Sequence, residues 1–434
     1  MQIKITKLAD TIIVLLLFLQ VAIFNFLNIS GEGIKIICSL IMIRFALDVI
    51  ITGKIYKIVL KNVWSLLIVL LIGYASARLG YDYHADVFFS NYLAIVYVLI
   101  PTIYFSYMFE YNYDFIKQVI NKSFWIINIY GIINMAVACV QVKVDGFLTG
   151  VSTWTNPMRE DLICGLMGYS ATPQFGLFAC LVILMNLYVL DYGCISQKRR
   201  MGLSLYIVFL IALSIVISAF NDNKIVYVEL PAFIVYYLYI TGRLDFLHRK
   251  INKNVFKIVS SITLLLLLCV GIYVMIPSVN DAVHKNFGYA IELFIQAMKT
   301  DAVLGYGSAD RIYMVIYAFK RYEALKLGYG MGAYTWHAGE ALGFRHFGQA
   351  DLGAFLCLSG LFFTTCVFLV VVVNFARIIC GKSNQRFDKL CVALFLLLML
   401  FYTQVITINT VGIIMLFCAS VFGMVEREKG GPEQ

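Results

Sequence analysis

The chain of 434 residues is 61% hydrophobic and only 14% charged, and its mean hydropathy is +0.85. Soluble domains are about half apolar and about a quarter charged, so this composition excludes an ordinary soluble protein and indicates a polytopic membrane protein. In such a protein the net charge of +9 reflects basic cytoplasmic loops rather than a nucleic-acid partner.

Long apolar runs predict an all-α, polytopic bundle of about twelve transmembrane helices. The first run follows a basic start and has no small-residue cleavage site after it, so we expect an uncleaved first span. The predicted spans are residues 10–29, 34–53, 62–79, 88–110, 123–142, 174–192, 202–219, 225–242, 258–276, 350–376, 388–406 and 407–424.

The distribution of lysine and arginine predicts how the bundle is oriented. With the N-terminus inside, every inner segment is basic and together they hold 21 of the 34 lysines and arginines. Both termini are therefore expected in the cytoplasm. The chain then divides into residues 1–276, with nine spans and an external loop at 143–173, a large extracytoplasmic loop at 277–349, and residues 350–434, with three spans and a cytoplasmic tail.

Several charged residues and cysteines fall in or beside the predicted spans. Arg44 and Asp48 are four residues apart on one helix, which favours a structural ion pair over a substrate contact. Lys224 begins the eighth span, where it fits either a lysine that snorkels to the interface or a cation that meets an anionic headgroup at the outer mouth. Of the eleven cysteines only Cys164 falls in an external loop, so no structural disulfide is expected.

The two predicted external loops carry the residues that are best suited to binding or catalysis. Arg159 is the only arginine of the first loop, where it can pair with Glu160 or Asp161 on a solvated face. The glycines and proline around it predict a shaped loop rather than a helix. In the second loop, residues 309–327 predict a helix with an apolar stripe at Ile312, Val315, Ile316 and Phe319. A glycine-rich segment, Gly328-Tyr329-Gly330-Met331-Gly332, is expected to end that helix and to allow close backbone approach.

Positive charge exceeds negative charge in this loop. Between positions 311 and 345 five cations face two acids, which fits either a solvated amphipathic helix or a phosphate site, since guanidinium groups offer paired donors. The external histidines have no metal-ligand spacing and no Walker or dinucleotide motif is present, so neither a metal nor a nucleotide cofactor is expected.

These residues resemble the Wzy-type O-antigen and capsule polymerases, with the related O-antigen ligases. The resemblance covers most of the chain: about twelve spans, a late external loop whose helix opens with an arginine, a Gly-x-Gly, a histidine, and a helix that re-enters the membrane. Its motifs are Arg311, the glycine-rich segment, His337 or His346, Asp351-Leu352-Gly353 with Gly360-Leu361, the R-x10-G spacing from Arg321 to Gly332, and Arg159, Gly165 and Pro173. Lys224 stands where many relatives have arginine, so the charge is kept but the bidentate fork is lost.

The resemblance implies a GT-C-like, inverting and metal-independent glycosyltransferase in the bacterial cytoplasmic membrane. Its donor would be a glycan on undecaprenyl pyrophosphate, its acceptor the terminal sugar of another lipid-linked repeat unit, and its further partners membrane lipids and a chain-length regulator protein. His346, His337 and Asp351 would act on the acceptor hydroxyl. The pyrophosphate would be bound by Arg311, Arg321, Arg159, Lys224 and Arg345.

Two other functions remain open on sequence. An O-antigen ligase would use the same donor but a lipid A core as acceptor. A transporter or lipid-linked glycan flippase would also need many spans, although we find no repeat between the two halves of the chain, and its polar residues cluster in loops rather than at the midplane.

Overall fold

The computed structural model describes residues 2–53, 55–150, 159–169, 171–192, 197–221, 309–323, 325–335 and 351–380, together with scattered single positions between 226 and 299. For some residues in these ranges, among them Arg311 and Asp351, only the backbone is described. All regular structure in this part of the chain is helical, which confirms the predicted all-α class.

Nine α-helices make up the described structure. They are α1 (Gln2–Leu19), α2 (Ser30–Thr52), α3 (Lys57–Leu79), α4 (Ala85–Tyr111), α5 (Tyr113–Gln141), α6 (Thr172–Tyr192), α7 (Gln197–Phe220), α8 (Ala309–Lys320) and α9 (Asp351–Cys380). A π-helical turn, Gln20–Phe24, extends α1, and a 3-10 turn forms at Glu160–Leu162.

Several of these helices have the length and composition of membrane spans. The six apolar stretches long enough to cross a bilayer are Ile5–Phe24, Val59–Leu79, Ala85–Met108, Lys122–Gln141, Lys198–Phe220 and Leu352–Val370. The chain is therefore a membrane protein by the character of its helices. α2 is as long as these but carries Lys35, Arg44 and Asp48, and α6 contains a shorter apolar stretch, Gln174–Leu187.

Apart from α8, the described helices fall where spans were predicted, and most of their ends differ by a few residues. The larger differences are at the starts of α1 and α5, which begin at Gln2 and Tyr113 because polar first turns precede the apolar runs. The first helix also ends earlier than predicted, since its π-helical turn stops at Phe24 and not at residue 29. Only scattered helical residues are described for the span predicted at 225–242. The spans predicted at 258–276, 388–406 and 407–424 lie outside the described residues.

Among the described helices, α4 and α9 each pack against several others. α4 contacts α2, α3, α5 and α9, whereas α6 packs between α5 and α7. Every residue of α6 from Leu177 to Asn186 is at most 4% exposed. Neighbouring parts of the chain therefore cover this stretch of α6 on all sides.

A buried ionic cluster joins α1, α2 and α4. Arg44 Nε lies 2.9 Å from Asp10 Oδ1, and Arg44 Nη1 lies 2.7 Å from Asp48 Oδ1. Tyr104 donates a hydrogen bond to Asp10, and Tyr107 donates one to Asp48. The predicted pair of Arg44 and Asp48 is thus confirmed, and α1 adds a second carboxylate to it.

α8 packs on the first part of α9. Its buried side chains are Tyr313, Met314 and Ala318, whereas Phe319 is 42% exposed. The predicted stripe is therefore wrong at Phe319, because the face of α8 that packs on α9 carries Tyr313, Met314 and Ala318 instead. α8 also ends earlier than predicted, at Lys320, and Tyr322 follows with a positive φ of 61°.

Candidate functional site

The glycine-rich segment is inserted between helices at one end of the bundle. Along one edge, the backbone N–H of Tyr329 donates to the carbonyl of Cys357 (2.8 Å), and that of Gly330 donates to the carbonyl of Leu358 (2.9 Å). These carbonyls belong to α9. The segment therefore fills hydrogen-bonding positions of a helix rather than lying on the surface as a loop.

α9 can accept these bonds because its helical geometry is broken at Gly360. The φ and ψ angles of Gly360 are 72° and 176°, a conformation that is essentially restricted to glycine. The break leaves the preceding carbonyls without intrahelical donors, and the N–H groups of the glycine-rich segment replace those donors.

The other edge of the segment contacts the turn between α3 and α4. The N–H of Tyr81 donates to the carbonyl of Tyr329, and the N–H of His84 donates to that of Gly332, both at 3.0 Å. A Cβ atom at Gly80 would lie 2.5 Å from the carbonyl oxygen of Tyr329, so the close approach requires glycine there. The α3–α4 turn, the glycine-rich segment and α9 thus form one continuous backbone-bonded unit.

An asparagine of α4 fixes the far end of the segment. The buried Asn91 side chain donates to the carbonyls of Met331 and Tyr334, at 2.8 Å each. Ser76 of α3 donates to the carbonyl of Leu327 at the near end (2.9 Å). Side chains of α3 and α4 therefore satisfy carbonyls that would otherwise be buried without partners.

A carboxylate lies directly before the glycine-rich segment. Glu323 is only 5% exposed, and its Oε1 accepts a hydrogen bond of 3.1 Å from the Tyr81 hydroxyl. That bond raises the pKa of Tyr81 above its ordinary value. Glu323 Oε2 is buried and has no hydrogen-bond partner within the described part of the chain. An acceptor left open in this way is a candidate ligand contact.

Two of the predicted pyrophosphate-binding arginines lie on α8 or just after it. Arg321 is exposed, and its Cζ atom lies 5.4 Å from the centroid of the Tyr317 ring. Stacking of this kind holds a guanidinium group in place while its donors stay available. Arg311 lies in the first turn of α8, and its side chain is outside the described residues.

Residues 159–169, the described second part of the loop predicted to be external, form a turn held by amide side chains. Gln141 Oε1 accepts from the N–H groups of Cys164 and Gly165, and Asn134 Oδ1 accepts from that of Leu166. Asn25, beyond the end of α1, donates to the carbonyl of Met167 (3.0 Å). This loop is therefore part of the bundle end and agrees with the shaped loop that its glycines predict.

Arg159 is the first described residue of this second part of the loop. Its Nε lies 2.9 Å from Asp145 Oδ1, and its Nη2 donates to the carbonyl of Val142 (2.8 Å). The predicted acidic partners were the adjacent Glu160 and Asp161, whereas the observed partner is Asp145 on the other side of the loop. The pair is more than half exposed on both sides, so its contribution to stability is small.

Cys164 is held inside this loop as a free thiol. Its residue is fully buried, and Sγ donates to the carbonyl of Gly168 (2.8 Å). Burial raises the pKa of the thiol to about 12, so it stays protonated near neutral pH.

The remaining predicted site residues are described in part or not at all. Asp351 is the first residue of α9, and only its backbone is described. His337, His346, Arg345 and Lys224 lie outside the described residues. Within the described part of the chain, no group of His, Cys, Asp and Glu side chains is arranged to hold a metal ion.

Sequence reasoning did not assign a role to Tyr81 or Glu323. Glu323 was counted only as a charge that offsets the neighbouring cations, and Tyr81 belongs to a short turn without a motif. The signal that could have indicated them is small: a polar turn between two spans and an acid just before a glycine-rich segment. Neither signal fixes a partner across more than 200 residues.

No family model, no curated protein and no solved structure matches the chain.

Proposed function

We propose that the protein is a polysaccharide polymerase of the bacterial cytoplasmic membrane. It would transfer a glycan from undecaprenyl pyrophosphate to the terminal sugar of another lipid-linked repeat unit at the outer face. The proposal includes a twelve-span, GT-C-like bundle with both termini in the cytoplasm. The observation that carries it is the insertion of the cation-rich loop into the end of the bundle, through the glycine-rich segment and the break in α9.

This arrangement suits a lipid pyrophosphate as the leaving group. A membrane-embedded bundle can hold the polyprenyl chain, and arginines fixed at its end can neutralise the departing charge without a metal. Arg321, stacked on Tyr317, supports such a role, and Arg311 begins the helix that leads to it. His346, His337 and Asp351 remain the proposed groups for the acceptor hydroxyl, and Arg159, Lys224 and Arg345 the proposed additional cations.

A ligase with a lipid A core as acceptor would use the same donor chemistry, and the described geometry does not favour either acceptor. The transporter alternative has one observation in its favour, since broken helices are frequent in transporters. In this chain, however, Tyr329 and Gly330 cap the carbonyls freed by the break. The freed carbonyls are therefore not open to coordinate an ion, which favours a fixed attachment of the glycine-rich segment over a mobile gate.

A deletion strain tests the proposal. Loss of a polymerase should leave surface glycans that carry a single repeat unit, while long polysaccharide disappears on a sizing gel. Loss of a ligase would leave long chains on the lipid carrier, and loss of a flippase would leave repeat units facing the cytoplasm. Normal polysaccharide length and amount in the deletion strain would contradict the proposal. Complementation with the wild-type chain is the control.

A further inference from the structure

A cavity of about 480 Å³ lies where the glycine-rich segment meets the α3–α4 turn. It is lined by residues 79–81, at the end of α3 and after it, and by residues 326–328. The two walls are joined by hydrogen bonds: the N–H of Tyr81 donates to the carbonyl of Tyr329, and the Ser76 hydroxyl donates to the carbonyl of Leu327. The cavity is therefore built into the fold, and its volume is in the range of small-molecule sites, roughly 300–1,000 Å³.

The cavity lies at the level where the bundle meets the membrane surface. One apolar stretch long enough to cross a bilayer, Val59–Leu79, ends at the cavity wall, and the next, Ala85–Met108, begins shortly after it. The turn between them is polar, and Nε2 of the exposed His84 lies 3.0 Å from Oδ2 of the exposed Asp82. A polar turn that joins two spans lies where hydrocarbon gives way to water, which is the level of the lipid headgroups.

A row of exposed apolar side chains runs along α3 and ends at this cavity. Its members are four residues apart, at Val63, Leu67, Leu71, Ala75 and Leu79. Positions with this spacing form a ridge along the surface of a helix. No described part of the chain covers this row, and Leu79, which is 71% exposed, is also a wall of the cavity. In a bilayer such a row contacts acyl chains, which are as apolar as leucine.

The charge that the cavity presents to a ligand is positive. Lys326 is the charged residue of its lining; it is exposed, and within the described part of the chain no side chain pairs with its ammonium group. Arg78, beside the wall residue Leu79, is a second exposed cation, and its Cζ atom lies 4.7 Å from the centroid of the Tyr83 ring. Glu323 is buried, does not line the cavity and accepts from Tyr81. An anion therefore complements this cavity.

We propose that this cavity binds the headgroup of an anionic membrane phospholipid. The Lys326 ammonium group binds the phosphate, and one acyl chain lies along the exposed row of α3. Tyr81, which is 67% exposed, lies at the headgroup level, where tyrosine is enriched in membrane proteins. A free phosphate would meet the same lysine but would gain nothing from the apolar row. The bound lipid joins the end of α3 to the turn after α8, and this inference does not rest on the proposed function.

Native mass spectrometry of the purified full chain in detergent tests this inference. The probes are phosphatidylglycerol and phosphatidylcholine with identical acyl chains, and the first bound phosphatidylglycerol should bind about tenfold more tightly, the effect of one charge-assisted contact. Lys326→Gln should remove this preference, whereas Lys326→Arg should keep it, because either cation can bind the phosphate. Lys143→Gln is the matched control, since it removes an exposed lysine beyond the end of α5 and should bind like the wild type.

A second variant and two competitors test the apolar row and the source of the phosphate. Leu79→Asp places a negative charge in the exposed wall and should also weaken binding of phosphatidylglycerol. Neither inorganic phosphate nor farnesyl pyrophosphate, at the concentration of the lipid, should displace it. The inference is overturned if Lys326→Gln binds phosphatidylglycerol like the wild type, or if Lys143→Gln loses as much. Displacement by inorganic phosphate would make the cavity a site for free phosphate, and displacement by farnesyl pyrophosphate would assign it to a polyprenyl donor; either result refutes a phospholipid site.

Discussion

Arg44 lies between two carboxylates in a region where neither water nor lipid can solvate a charge. Its side chain is 3% exposed, and Asp10 and Asp48 together give the cluster one more negative than positive charge. The two tyrosine hydroxyls compensate part of this excess. Such a cluster specifies how α1, α2 and α4 pack together. The stability that a substitution removes depends on which partner is lost.

We predict that Arg44→Ala destabilises the protein by about 3–5 kcal/mol, because it leaves two buried carboxylates without a cation. Asp10→Asn should be much milder, since Arg44 keeps Asp48 and the amide can still accept from Tyr104. Lys35→Ala, which removes an exposed pair with Glu32 on the same helix, should change stability by less than about 1 kcal/mol. Thermal unfolding in detergent measures all three. Equal effects of Arg44→Ala and Lys35→Ala would contradict the buried ionic role.

At Arg311 the prediction concerns chemistry rather than folding. Arg311→Lys keeps the charge and loses the planar fork, so polymerisation should fall while the amount of protein in the membrane stays normal. Each charge-assisted contact to a pyrophosphate contributes about 1.5–3 kcal/mol, which corresponds to at least a tenfold loss of activity. The measurement is polysaccharide length and amount in a complemented deletion strain. If Arg311→Ala still gives normal polysaccharide, the pyrophosphate site is elsewhere.

The elements themselves were predictable to different degrees. Apolar runs located α1 to α7 and α9, since a span is a long local signal. The break in α9 depends on contacts that are remote in sequence: Gly360 takes its conformation because Lys326, Tyr329 and Gly330 occupy the space and the hydrogen bonds beside it. A sequence pattern indicates glycine at such a place but not what approaches it.

We predict that Gly360→Ala destabilises the glycine-rich segment. A Cβ atom there would lie 2.0 Å from the carbonyl oxygen of Lys326, and the φ of 72° is strained for alanine. Together these effects should cost at least about 2 kcal/mol. Gly202→Ala is the matched control, because nothing lies within 4 Å of a Cβ at that helical position. Proteolysis between α8 and α9, followed by blotting, should be faster for Gly360→Ala only. Equal cleavage of both variants would mean that the break is not what holds the segment.

For the whole molecule, composition predicted the class and the helical architecture but not the grouping of residues at the bundle end. The loop at 159–169 is attached through Asn25, Asn134 and Gln141, and the glycine-rich segment through Asn91. Single amides in or beside apolar helices carry no motif, so their partners emerge only from the packing. For the same reason Tyr81 and Glu323 were missed, although both residue types are common hydrogen-bonding groups.

The orientation of the bundle decides whether its sites face lipid-linked glycans outside the cell, and it gives the last prediction. Positions 143 and 198 are both exposed lysines, one beyond the end of α5 and the other in the first turn of α7, at opposite ends of the predicted topology. A membrane-impermeant maleimide should label Lys143→Cys on intact cells and Lys198→Cys only after permeabilisation. Cys164 adds little background despite its loop position, because its thiol is buried and its pKa is raised to about 12. Denaturation before labelling should expose the Cys164 thiol to the maleimide. If only Lys198→Cys is labelled on intact cells, the bundle has the opposite orientation. The glycine-rich segment would then lie on the cytoplasmic side, without the proposed access to external substrates.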